Sequence, residues 1–183
     1  VLETAKVPLI LIADDPHVMA KGLEAAAGTK PMIYGATTDN WEAFADLAKE
    51  HEAPMAVRAE TMSALANLVK KVKEAGVERV ALDPGASDMR SDLALNTLIR
   101  RLAIDKTFRP LGFPTISFPT ECVDEPAMVP VAASQAISKY AGFVVLDDFS
   151  PATVYPLLVL RANIYTNPQE PIQVEPGLYE IGD

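Results

Sequence analysis

Cysteine is almost missing from this chain of 183 residues: Cys122 stands alone. One thiol closes no disulfide framework and forms no Cys-rich cluster site, so nothing here points to an exported, cross-linked scaffold. No signal-peptide pattern opens the sequence, and the cytoplasm is the expected compartment. No run approaches the roughly 18 unbroken apolar residues of a membrane helix, so no membrane role is expected. Basic residues are scarce. Lys and Arg number 16 against 25 Asp and Glu, for a net charge of -9. Nucleic-acid affinity rests on cations that neutralise phosphates, so no nucleic-acid partner is expected. An acidic surface mainly keeps a chain soluble. The sequence also lacks a P-loop, a nucleophile elbow, an HExxH helix and any metal-ligand spacing.

What is present is a repeat of two patterns. Short apolar runs recur at Pro8–Ala13, Pro31–Gly35, Pro54–Val57, Arg79–Leu82, Thr115–Phe118 and Phe143–Leu146. A helical spacing of apolar residues follows each. The third is the plainest, with Met62, Leu65, Leu68, Val69 and Val72 on one side and Lys70, Lys71, Lys73 and Glu74 on the other. Asp39-Asn40-Trp41-Glu42 has the form of a capping box. Pro156 predicts a kink or early break in a helix over about 151–165. Strands that read as unbroken apolar runs, each followed by a helix, imply a parallel sheet covered by helices. Two α/β architectures satisfy that, an open doubly wound sheet and a closed barrel. No strand–helix turn carries GxGxxG, and the spacing is regular, so the expected fold is a TIM-type (β/α) barrel. A closed one has eight strands; about six βα units are legible here, so the barrel is expected to be incomplete.

Chemistry in either architecture sits at the carboxyl ends of the strands. Those ends carry Asp14-Asp15-Pro16-His17, Thr37-Thr38, Arg58, Asp83-Pro84-Gly85, Thr120-Glu121-Cys122 and Asp147-Asp148. The rim is polar and largely acidic. Asp14, Thr37, Arg58, Asp83, Gly85, Thr120 and Asp147 are the candidate ligand-facing residues. Each has a plainer reading. Asp14-Asp15 and Asp147-Asp148 suit helix caps, His17 suits a solvated first turn, His51 carries no assigned role, and Cys122 suits inert packing. Asp83-Pro84-Gly85 is the most specific signal, because a rigid turn holds a carboxylate at a strand end. No catalytic residue and no metal ligand is assigned.

Longer stretches carry a resemblance. Asp83-Pro84-Gly85, Leu98–Arg101, Arg109–Pro114, Asn163–Gln169 and Val174–Gly182 resemble the large, or gamma, subunit of the corrinoid iron-sulfur protein, part of the acetyl-CoA decarbonylase/synthase system. Leu9–Pro16 and Asp39-Asn40-Trp41 fit as well, and the likeness covers nearly the whole chain. It implies a three-part subunit: a cysteine-rich start holding a [4Fe-4S] cluster, a central TIM barrel, and a final domain that helps hold a corrinoid. It also implies pairing with a small subunit, and a methyl group carried on cobalt between a tetrahydropterin methyltransferase and the acetyl-CoA synthase/CO dehydrogenase complex. The main cofactor-binding regions of that family have no counterpart here. The chain opens on Val1 and enters its pattern almost at once, as expected of a processed chain or a piece of a longer one.

On that reading residues 1–167 form a partial barrel acting as scaffold and interface. Residues 168–183, broken by Pro168, Pro171 and Pro176 yet rich in strand-forming residues, form an extended connector toward a corrinoid domain. The alternatives are a free-standing pterin-binding methyltransferase barrel, a docking module without a ligand, and a nucleotide-binding open sheet, which the absent glycine loop disfavours.

Overall fold

The computed structural model describes residues 7–164. The expected connector, 168–183, lies outside them. Six strands and six α-helices alternate among the described residues. In chain order they are β1 Ile10–Ile12, α1 Pro16–Ala25, β2 Met32–Ala36, α2 Trp41–Glu50, β3 Met55–Arg58, α3 Met62–Glu74, β4 Val80–Asp83, α4 Met89–Ile104, β5 Ile116–Ser117, α5 Val129–Ser138, β6 Phe143–Val144 and α6 Pro151–Ile164. Single 3-10 turns at Arg109–Leu111, Pro119–Cys122 and Pro126–Met128 flank β5.

Local chemistry starts the helices. The Asp15 carboxylate accepts from the His17 N–H at 2.8 Å, and Pro16 occupies the first turn of α1. Thr61 Oγ1 accepts from the Ala64 N–H at 3.2 Å ahead of α3. Asp88 and Ser91 form a reciprocal capping box at the start of α4. The box expected at Asp39–Glu42 does not form. Asn40 takes the cap position of α2, and its side chain turns away from the helix amides toward the neighbouring strand ends. Nor does Pro156 break α6, which continues to Ile164. The missing proline N–H would have bonded the carbonyl of Ala152, which is solvent-exposed, so water can satisfy it.

Strand order decides the architecture. β1, β2, β3 and β4 pair parallel in that order, and β5 pairs parallel with β6. A parallel bridge between Leu82 and Thr115, with the Leu82 N–H donating to the Pro114 carbonyl at 2.8 Å, joins the two ladders. The six strands therefore run in sequence order without reversal. A doubly wound sheet needs a switch point where the order reverses. Right-handed crossovers without one place every helix on the same face, and a twisted sheet covered on one side curls into a barrel. The described strands are a six-stranded part of one, as expected.

Alternation along the strands sorts the two faces. Ile33, Met55, Val57 and Leu82 point outward and pack with Met19, Leu23, Phe44, Leu65, Val69 and Val72 of the helices. Inward lie Met32, Tyr34, Ala56, Ala81 and Ile116, with Ile10, Phe118 and Val145 against them. A third cluster seats α5 on α6 through Ala133, Ile137 and Leu157. Fully burying one of these larger side chains stabilises by about 1.5–3 kcal/mol. The inward parity of β2, β3 and β4 carries on to Tyr34, Arg58 and Asp83, and this positions the site.

Candidate functional site at the carboxyl ends of the strands

Three adjacent strands deliver a polar cluster to the barrel mouth. Asp83 ends β4 and is buried, at 4% exposure. The Tyr34 hydroxyl, on β2, donates to Asp83 Oδ2 at 2.5 Å. The Gly85 N–H donates to Asp83 Oδ1 at 2.7 Å, so both carboxylate oxygens are engaged. Gly85 holds φ at +68°, and an added Cβ would sit 3.4 Å from the Ala59 carbonyl oxygen. Both the backbone sense and the close approach of β3's end suit glycine there.

Arg58, at the end of β3, lies over this pair. Its Nε is 3.8 Å from Asp83 Oδ2, its Nη1 donates to the Tyr34 oxygen at 3.4 Å, and the same Nη1 is 3.8 Å from Glu121 Oε2. Burial alone would lower the Arg58 pKa. Asp83, Tyr34 and Glu121 more than offset it, so the guanidinium is held above its ordinary value as a permanent cation. Burial, then the Asp83 charge, pushes the Tyr34 phenol well above its usual range, so it stays a donor. The ring of Tyr34 also leans on Phe118, with centroids 4.9 Å apart.

A second polar group lies beside the first. Asp92 on α4 is buried and receives hydrogen bonds from Ser117 Oγ at 3.1 Å, Asn96 Nδ2 at 2.9 Å and Gln135 Nε2 at 3.4 Å. Burial raises its pKa despite those three donors. A cleft of about 10 Å³, the room of one water, separates Asp92 from Asp83 and is walled by Glu121 and Cys122. The Cys122 thiol is pushed up to about 11, first by burial and then by Asp92 and Glu121. It is therefore a protonated thiol at neutral pH, as a packing role requires.

The remaining expected residues divide. Asp14 and Thr37 are drawn together by Asn40, whose Oδ1 accepts from the Thr37 N–H at 2.7 Å and whose Nδ2 donates to the carbonyls of Asp14 and Gly35. That ties the ends of β1 and β2, and the Asp14 side chain stays exposed. Thr120 sits half-buried next to Glu121, while Asp147 is exposed beyond β6. Asp148 bonds the Thr153 hydroxyl at 3.1 Å, as expected of residues opening α6. Arg58, Asp83 and Gly85 thus converge, and Asp14 with Thr37 forms a separate tie. Sequence reasoning missed Tyr34, Asp92, Ser117 and Gln135, and it placed Glu121 on the rim without choosing it as a candidate. Tyr34 reads as an ordinary strand residue, and its signal is parity: two strands on, Asp83 has the same inward sense. Asp92 resembles a polar residue of a helix face, and only the fold brings Ser117 and Gln135 to it.

Among the described residues no group of three His, Cys, Asp or Glu side chains is placed to hold a metal ion. No helix there is long and apolar enough to cross a membrane. Comparison with known proteins adds the following. The model of the family described as CO dehydrogenase/acetyl-CoA synthase delta subunit matches residues 1–183. The Corrinoid/iron-sulfur protein large subunit of Moorella thermoacetica is 43% identical over 174 residues, covering 95% of this chain and 39% of that protein. The Acetyl-CoA decarbonylase/synthase complex subunit gamma of Archaeoglobus fulgidus is 34% identical over 187 residues, covering 96% of this chain and 40% of that one. The chain thus spans about two fifths of the length of these relatives. In fold it is similar to dihydropteroate synthase from Thermus thermophilus, solved in complex with 4-aminobenzoate. The TM-score is 0.65 at 21% identity, over 85% of this chain and 74% of that one. That likeness bears on the fold alone, and it agrees with a (β/α) barrel.

Proposed function

The chain belongs to the CO dehydrogenase/acetyl-CoA synthase delta subunit family, and from that premise we propose that it is the barrel portion of a corrinoid iron-sulfur methyl carrier. The whole protein passes a methyl group between a tetrahydropterin methyltransferase and acetyl-CoA synthase. This portion serves as scaffold and as the face met by the corrinoid or by a small subunit. The observation that carries the reading is the 43% identity to a Corrinoid/iron-sulfur protein large subunit across 95% of the chain.

The residues present do not fit the two cofactors as resident groups. A [4Fe-4S] cluster takes four cysteine thiolates, and Cys122 is one half-buried thiol held protonated. The cleft beside Asp83 has room for about one water, far too little to enclose a corrinoid. No chemical step is therefore routed through either group here. What this chain contributes is surface: a fixed cation at Arg58 and the exposed Glu121 carboxylate above a buried Asp83 that accepts a hydrogen bond at each oxygen. Positioning of that kind is what a protein supplies to a cofactor that carries the reaction itself.

In the rival pterin-binding barrel a mouth carboxylate meets donors of a small ligand; here Asp83 is buried, each of its oxygens already accepts one hydrogen bond, and the space beside it holds about one water. Arg58→Ala and Asp83→Asn in the full-length subunit test the proposal. Slower methyl transfer or weaker pairing with the small subunit is expected. Unchanged transfer together with unchanged pairing removes the mouth from the interface, and saturable binding of a tetrahydropterin to the chain alone would favour the rival.

A further inference from the structure

We propose that the groove between α4 and the turn following α5 is the docking site of this chain's own residues 168–176, held there by their apolar side chains and by Glu170 and Glu175. It lies at the amino ends of β5 and β6, opposite the mouth, and needs nothing from the methyl-carrier reading.

The groove has a volume of about 180 Å³. An apolar cavity of about 150 Å³ takes one benzene, so this space takes one or two aliphatic side chains. Ile99, Leu111 and Phe113 supply its walls, and Ile104 at its lip is 58% exposed. Arg100 and Lys139 are its charged residues, and none of the lining is acidic. The Arg100 guanidinium lies over the Tyr140 ring, 3.7 Å from the centroid. Stacking uses the plane of a guanidinium and leaves its N–H edge for a carboxylate. In a chain of net charge -9, an apolar groove rimmed by two cations selects a segment that is both apolar and acidic.

The residues that follow α6 are of that kind. Between 165 and 183 lie Glu170, Glu175, Glu180 and Asp183 and no Lys, Arg or His, and Ile172 and Val174 stand between the first two glutamates. Their point of departure is beside the groove. Ile164, which ends α6, packs on the cluster of Ile137 and Leu157, and Ile137 leads into Lys139 at the groove's rim. The stretch from Ile164 to Glu170 can span up to about 20 Å when extended, more than the roughly 10–12 Å diameter of a helix. Pro168, Pro171 and Pro176 fix φ in an extended range and so lower the entropy lost on docking. Tethering adds to this. A segment attached near the rim meets the groove at an effective concentration on the order of millimolar, so contacts too weak to recruit a separate partner suffice.

Hydrogen exchange and carbodiimide cross-linking of the full-length protein, both read by mass spectrometry, test this. The backbone amides between Pro168 and Pro176 should exchange about tenfold or more slowly than in a free peptide of that sequence. Lys139 should be joined to Glu170 or Glu175. Arg100→Glu with Lys139→Glu reverses the rim and should remove about tenfold of the protection, and adding Glu170→Lys with Glu175→Lys should restore it. Restoration by the swapped charges separates lost docking from lost folding. Exchange as fast as in the free peptide, protection that survives the reversed rim, or a swap that fails to restore it overturns the proposal. So do cross-links from these glutamates only to other surfaces or, in a mixture of light and heavy isotopic protein, only to a second copy.

Discussion

What holds Asp83 at the mouth is testable by taking its two side-chain partners away in turn. The Tyr34 hydroxyl meets Oδ2 at 2.5 Å, and both residues are buried, at 7% and 4% exposure. The Arg58 guanidinium reaches the same oxygen only at 3.8 Å, from a side chain 42% exposed. Bonds to a charged acceptor are the stronger kind, and removing a donor from a buried one costs about 1–3 kcal/mol. Half-solvated ion pairs contribute about 1 kcal/mol or less. Tyr34→Phe should therefore cost about 1–3 kcal/mol and Arg58→Ala less than about 1 kcal/mol. In a chain of this size that is about 2–12 °C against less than about 4 °C in melting temperature. Because Arg58 also donates to the Tyr34 oxygen at 3.4 Å, it is the nearest cation when the phenol is gone. The double variant should exceed the sum of the singles by about 0.5 kcal/mol or more. Urea unfolding followed by fluorescence of Trp41, the chain's single tryptophan, measures all three. A larger loss in Arg58→Ala than in Tyr34→Phe would refute the reasoning, since the ion pair and not the phenol would then anchor Asp83.

Two further outcomes follow from single positions. Gly35 holds φ at +137°, and an added Cβ would stand 1.9 Å from the Ala13 carbonyl oxygen. Gly35→Ala should thus cost about 3 kcal/mol or more by combining backbone strain with a displaced β1. Gly28→Ala has open space around it at φ +84° and should cost about 1–2 kcal/mol by urea titration. Asp92 has a raised folded-state pKa, so it is neutral in both states below the ordinary carboxylate range. Stability is then lost as pH rises through the folded value, because the folded state must bury the charge. Relative to Asp92→Asn, the natural chain should lose stability as pH rises above the ordinary carboxylate range in a pH series of urea melts; a difference independent of pH would show that Asp92 carries no buried charge.

The outer layer of this fold was legible because its signal is local. The alternation of unbroken apolar runs with one-sided helices such as Met62–Glu74 is written in consecutive residues, and each of the six strands overlaps its expected run, with β2, β3 and β4 each ending one residue later. Barrel order followed from the missing glycine loop and regular spacing, and the parallel pairing in sequence order bears it out. The mouth was legible only where a turn advertises itself. Asp83-Pro84-Gly85 has its own stiffness, and Arg58 is a lone charge ending an apolar strand. Tyr34, Asp92 and Gln135 have no such mark, because their partners lie 49, 25 and 43 positions away. Asn40 shows the converse failure. Its neighbourhood fits a capping box, but its side chain instead receives the Thr37 N–H and reaches the Asp14 and Gly35 carbonyls, contacts that local pattern cannot rank.

The burial of Asp83 bears on how a barrel mouth can serve a larger assembly. A small-ligand site needs donors and acceptors left unsatisfied until the ligand arrives, and a cavity to exclude water. Here each oxygen of the buried carboxylate already accepts one hydrogen bond, from Tyr34 or Gly85, and the space beside it holds about one water. The groups still able to meet something new are the outermost ones, Arg58 at 42% and Glu121 at 50% side-chain exposure. Their mutual separation of 3.8 Å is loose enough for either to be taken by an opposing charge. Such a rim favours a broad opposing face over an enclosed small molecule, because half-solvated charges set orientation and encounter more than depth of binding. The inner layer of Tyr34, Gly85 and Asp83 then keeps Arg58 at a fixed height above the strands. Substitutions there should alter contact geometry at the rim even though none of the three reaches a partner itself.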